Sequence, residues 1–120
     1  MSGAASLERP PGAPVLCELS GRIEGDADRV FELLVELIDP RGESHFVVDR
    51  SSRRAVVQGD YWYRGEYRVD QVDAAADVEY IIVNVASGWR GLGALTGRRA
   101  VRAAPDAFEE LMNHIRTALG

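Results

Sequence analysis

Three tyrosines, Tyr61, Tyr63 and Tyr67, stand two or four residues apart in the run GDYWYRGEYRVDQV. On an extended strand side chains alternate between faces, so these three share one side with Gly65, Val69 and Gln71. Trp62, Arg64, Glu66, Arg68 and Asp70 share the other. A phenol offers ring area together with a hydroxyl that needs a partner when buried. Such a row can line a pocket, hold an apolar molecule and bond its few oxygens. The same row can also serve as core, pairing across neighbouring strands. Asn84 sits in the apolar run VEYIIVNVA in phase with Tyr80 and Ile82, on the side opposite Glu79. An amide buried there must be bonded, since stranding it costs roughly 1–3 kcal/mol. It either orients a ligand carbonyl or ties down a neighbouring loop.

Other residue types narrow the chemistry by elimination. The chain has no lysine, which removes Schiff-base catalysis and the lysine of a phosphate loop. Cys17 is alone, so no intrachain disulfide and no cysteine zinc site can form, and within a strand it reads as a small hydrophobe. His45 and His114 are the only histidines, are far apart, and lack metal-ligand spacing. His45 reaches a pocket only if its strand phase is inward. Gly91, Gly93 and Gly97 fit neither the dinucleotide nor the phosphate-loop spacing. No metal or cofactor is expected. Trp89 and Arg90 open this glycine-rich stretch, which reads as a lid over a pocket mouth or as irregular chain with Trp89 plugging the end of the core.

These residues need elements to position them. The first 14 residues, rich in Ser, Gly, Ala and Pro, read as a flexible leader, and residues 15–120 as one domain. Residues 15–24 alternate, with Val15, Cys17, Leu19 and Ile23 on one side, and predict a half-buried strand. Asp26 is a fitting N-cap for a helix in which Val30, Phe31, Leu34, Leu37 and Ile38 recur at helical spacing. Asp39-Pro40 ends that helix. Short strands follow at 44–50 and 55–58, a long one at 61–72, a polar and alanine-rich link at 73–77, and another strand at 78–86. Short links between them predict an antiparallel meander. Residues 98–102 could form a short edge strand. Pro105 then opens a helix whose Phe108, Leu111, Met112, Ile115 and Leu119 make one apolar stripe.

The content of 46% hydrophobic and 28% charged residues is that of a globular chain. A net charge of −5 argues against a general affinity for nucleic acid or anionic lipid. No apolar run approaches the roughly 18 residues of a membrane span, and no signal peptide opens the chain, so a cytoplasmic protein is expected.

The segments RIEGDADRVFELL, GDYWYRGEYRVDQV, VEYIIVNVA and FEELMNHIRTALG, in this order, resemble the START-like or SRPBCC superfamily, which includes polyketide cyclases, birch-pollen-allergen-type proteins and lipid-transfer domains. The resemblance spans residues 15–120. It implies an α+β helix-grip fold, a curved antiparallel sheet wrapped around a long C-terminal helix, with one N-terminal helix after the first strand. It further implies a cavity between sheet and C-terminal helix, lined by Tyr61, Tyr63, Tyr67, Tyr80, Asn84, Trp89, Phe108 and Met112. The expected occupant is a small hydrophobic molecule such as a lipid, polyketide or aromatic metabolite. A cyclase-type enzyme or a protein-interaction module are the alternatives. The family runs longer, with a second short helix after the first, so a cavity here is small, open at one end, or completed by a second copy in a homodimer.

Overall fold

Alternation of apolar and polar residues carries the chain into its first strand, β1 (Val15–Glu24), whose Ile23 is buried while Glu18, Ser20, Arg22 and Glu24 are exposed. The Asp26 carboxylate accepts the Arg29 N–H at 3.0 Å and starts α1 (Ala27–Ile38), which buries Ala27, Val30, Phe31 and Leu34. Asp39-Pro40 follows its last residue, as the proline requires. Leu37, expected in the buried stripe, is 47% exposed, whereas Ile38 beside it packs against the core.

Four strands then form an antiparallel run, β2 (His45–Asp49), β3 (Arg54–Gln58), β4 (Tyr63–Val72) and β5 (Ala75–Asn84). Strand β1 pairs antiparallel with β5, giving one five-stranded sheet of order β1-β5-β4-β3-β2. The computed structural model describes residues 6–41, 45–59, 62–85 and 90–120, the backbone alone for 90–100. The link read at 73–77 is shorter than expected: Val72 pairs with Ala75 across a two-residue turn at Asp73 and Ala74. Asp73 makes this possible by taking φ 55°, a left-handed conformation that Asp tolerates better than most residues. The alanines beyond it therefore belong to the strand.

The pairing register sorts the sheet into two faces. Cys17, Leu19, Ile23, Val57, Val69 and Val78 share the inner face with the tyrosines of β4 and β5. Both helices pack there, in one core with Phe31 and Leu34 of α1 and Phe108, Met112 and Ile115 of the last helix. A side chain missed in the sequence closes one end of this layer. Gln71 accepts the Ala27 N–H at 2.7 Å and donates to the carbonyls of Asp73 and Ala75, both at 2.9 Å, and of Gly25 at 3.3 Å.

The last helix, α2, corrects the reading of the glycine-rich stretch. It runs Arg90–Leu119, so residues 98–102 are helical rather than an edge strand, and Pro105 lies inside the helix rather than opening it. Glycine disfavours a helix interior by about 1 kcal/mol and proline by about 3 kcal/mol, which is why spacing alone places the start too late. The leucines, alanines and arginines between them are good helix formers. Phe108, Met112 and Ile115 of the expected stripe are buried, with Leu111 and Leu119 half-buried beside them.

Among the described residues no helix packs on the outer face, and the segment read as a flexible leader crosses part of it. Arg64, 1% exposed, donates to Glu66 at 2.7 Å, to Gln58 at 3.2 Å and to the Leu7 carbonyl at 3.1 Å. Arg9 donates twice to the same Glu66 carboxylate, at 2.6 and 3.1 Å. The Pro14 carbonyl accepts the Asn84 N–H. Among the described residues, no helix is long and apolar enough to cross a membrane.

Candidate functional site

Strand pairing sets Tyr67 opposite Tyr80 and Tyr63 opposite Asn84 on the inner face. The Tyr67 and Tyr80 rings stack with centroids 4.5 Å apart and an interplanar angle of 11°. Phe108 of α2 continues the stack from Tyr80 at 6.0 Å. Offset aromatic contacts of this kind add about 0.5–1.5 kcal/mol each beyond the area that they bury.

Tyr63 reaches this pair along its own strand. Its hydroxyl lies 2.5 Å from that of Tyr80, although the two residues are not directly opposite. Gly65, between Tyr63 and Tyr67 on the same face, is what lets the ring lie down. A Cβ at position 65 would meet the Tyr63 hydroxyl and ring edge at less than 3.0 Å. A second glycine works in the same way for the helix: a Cβ at Gly21 would meet the end of Met112 at 2.8 Å. The two glycines thus admit an aromatic ring from the sheet and a thioether from α2 to the same inner surface.

The three phenols are held neutral. Burial pushes the ionisation of Tyr63, Tyr67 and Tyr80 well above the ordinary phenol value, and the proximity of one hydroxyl to another adds to the effect. Cys17, paired with Ile82 on β5, acts on Tyr80 in the same direction. Every residue that the register places on the inner face is uncharged, from Phe46 and Val48 on β2 across to Cys17 and Leu19 on β1. The buried residues of α1 and those described for α2 are uncharged as well. Asn84, 2% exposed, contributes a side-chain amide at the Tyr63 end.

The outer face is the opposite in character. A groove of about 200 Å³ there is lined by Arg9, Arg54, Glu66, Arg68 and Glu79 among others. Its carboxylates are engaged by arginine. Burial alone would raise the Glu66 carboxyl, but the hydrogen bonds from Arg9 and Arg64 outweigh it and hold the group below its usual range.

Of the residues named from sequence, Tyr63, Tyr67, Tyr80 and Phe108 therefore come together in one cluster, with Asn84 across from Tyr63 and Met112 packed in the adjoining core. Tyr61 and Trp89 lie outside the described residues. His45 shares the outer phase with Val47 and Asp49, so it does not face the tyrosines. His114 is exposed on α2, where its Nδ1 is 2.9 Å from the Glu110 carbonyl. Sequence reading missed Gly65, Gly21 and Gln71. Gln71 carried a signal, a polar residue in an apolar phase, whereas the two glycines gave none.

No family model, curated protein or solved structure matches this chain.

Proposed function

We propose that the chain is a helix-grip domain of the START-like kind, which binds a small hydrophobic molecule between the inner face of its sheet and α2. The observation that carries this reading is a group of neutral tyrosine hydroxyls set in an uncharged, largely apolar face that a long helix crosses. Each buried hydroxyl costs desolvation unless it is bonded, and the Tyr63 and Tyr80 hydroxyls satisfy that need by bonding each other. Clustering several of them where a helix meets a sheet fits the few convergent polar groups of a ligand site. The element order of strand, helix, four strands and long helix accords with the same reading.

Binding is favoured over a cyclase-type reaction by the same geometry. A proton-moving phenol needs a base or acid of matched strength beside it. The described residues of the inner face supply no carboxylate, imidazole or guanidinium to the tyrosines.

Native mass spectrometry of the purified protein, followed by solvent extraction, tests the reading. An apolar compound at near-stoichiometric amount is the expected result. A bare mass, together with no thermal shift from fatty acids, phospholipids or aromatic ketones, would sink it.

A further inference from the structure

Charge on the last helix is sorted by sign. All three carboxylates of α2, Asp106, Glu109 and Glu110, follow Pro105, whereas Arg90, Arg98, Arg99 and Arg102 precede it. A helix that simply faces water gains from opposite charges three or four residues apart. Here those spacings join like charges instead, at 98 and 102, 99 and 102, 106 and 109, and 106 and 110, and each such pair opposes the helix.

The sorted charges share one stripe. Phe108, Met112 and Ile115 set the buried side of α2. At about 3.6 residues per turn, positions 98, 99, 102, 106, 109 and 110 all fall on the side away from it. Arg102, Asp106, Glu109 and Glu110 are exposed. Among the described residues, Glu109 meets Arg116 at 3.6 Å, and Arg102, Asp106 and Glu110 enter no ion pair. An open groove of about 390 Å³ follows the acidic part, lined by Asp106, Glu109, Glu110 and Asn113 among others. The order of signs is also its own complement. Each arginine has a carboxylate equally far on the other side of position 104: 98 with 110, 99 with 109, and 102 with 106. A two-fold axis across a helix exchanges such positions, so that residue i of one copy meets residue j of the other and j meets i.

We infer that α2 forms the interface of a homodimer, in which the exposed stripes of two copies lie antiparallel and cross level with position 104, the arginines of each against the carboxylates of the other. Parallel pairing is excluded, since it sets like charges together. The second copy lies on the far side of α2 from the sheet, so this inference is independent of the ligand reading. Exposed ion pairs are individually weak, so the set acts together and loosens with salt.

Sedimentation equilibrium of the wild-type chain and two charge reversals tests this. One variant carries Arg98→Glu, Arg99→Glu and Arg102→Glu; the other carries Asp106→Arg, Glu109→Arg and Glu110→Arg. The fold of each is checked by circular dichroism. The wild type is expected to dimerise at least about 10-fold more tightly at low salt than at about 0.5 M NaCl. Each variant alone, its stripe now of one sign, should be monomeric, and an equimolar mixture of the two should restore the dimer. A wild-type chain that stays monomeric at about 1 mM, or a dimer that salt leaves unchanged, overturns the inference whatever the variants do. So does a dimer retained by either folded variant alone, or a mixture of the folded variants that remains monomeric.

Discussion

Gly65 decides how the candidate site is built. Adding one carbon there pushes the Tyr63 ring off its strand and separates its hydroxyl from that of Tyr80. Gly65→Ala is therefore expected to lower stability by about 1–2 kcal/mol, the cost of a lost hydrogen bond between half-buried groups. The loss should shrink in a Tyr80→Phe background, where that bond no longer exists. A double-mutant cycle by urea denaturation checks this, and full additivity would mean that the glycine acts on something else. The phenols also give a pH signature. Their ionisation is raised in the folded state by burial, so their contribution to stability is complete below about pH 10, where the unfolded chain begins to ionise, and falls as pH rises above it. Absorbance at the phenolate band should rise for Tyr63, Tyr67 and Tyr80 only together with loss of the folded circular-dichroism signal. The alternation of 63, 65 and 67 made a shared face legible in the sequence. That Tyr63 lies along the strand rather than across it depends on a rotamer, which spacing does not encode.

Two elements carry consequences of their own. Pro105 is exposed within α2, where it deprives the helix of a backbone hydrogen bond. Pro105→Ala is expected to stabilise the protein by about 1–3 kcal/mol in thermal or urea unfolding; a neutral or destabilising result would mean that the proline offsets its lost hydrogen bond through another contact. The stripe from Phe108 to Leu119 was legible because it has one period and no breaker. The half before Pro105 was not, because three glycines and a proline outweigh the local helix formers when no tertiary contact is visible. The chain before β1 is the second case. Composition favoured a flexible leader, yet Arg9 and the Leu7 carbonyl meet Glu66 and Arg64 on the outer face. Arg64 is buried, so removing its counter-charge leaves a cation away from water. Glu66→Gln should cost about 3 kcal/mol. Because the Glu66 carboxyl is held below its usual range, the wild-type contribution is present above about pH 4.5 and lost as pH falls through its folded value. Stability curves of the two proteins should accordingly converge in acid, and parallel curves would count against this account.

At the scale of the whole molecule, the order of strands and helices was legible from alternation, capping and turn residues. Which strand β1 would choose was not, since no local signal distinguishes β2 from β5 as its neighbour. The observed order places β1 beside β5, whereas β2, β3 and β4 each pair with the strand next in sequence. This difference sets a folding sequence. Successive hairpins close short loops, but joining β1 to β5 closes most of the chain at once and costs more entropy before any contact repays it. The meander should therefore form first and act as a template on which β1 and α1 dock. In stopped-flow kinetics Val78→Ala, within the β4–β5 hairpin, is expected chiefly to slow refolding, while Ile23→Val on β1 chiefly speeds unfolding. Equal effects on both arms of the two chevrons would place β1 in the nucleus. A chain that has not yet closed this last pairing leaves the edge of β5 open, so the time spent waiting for β1 is also the interval in which another chain could take its place.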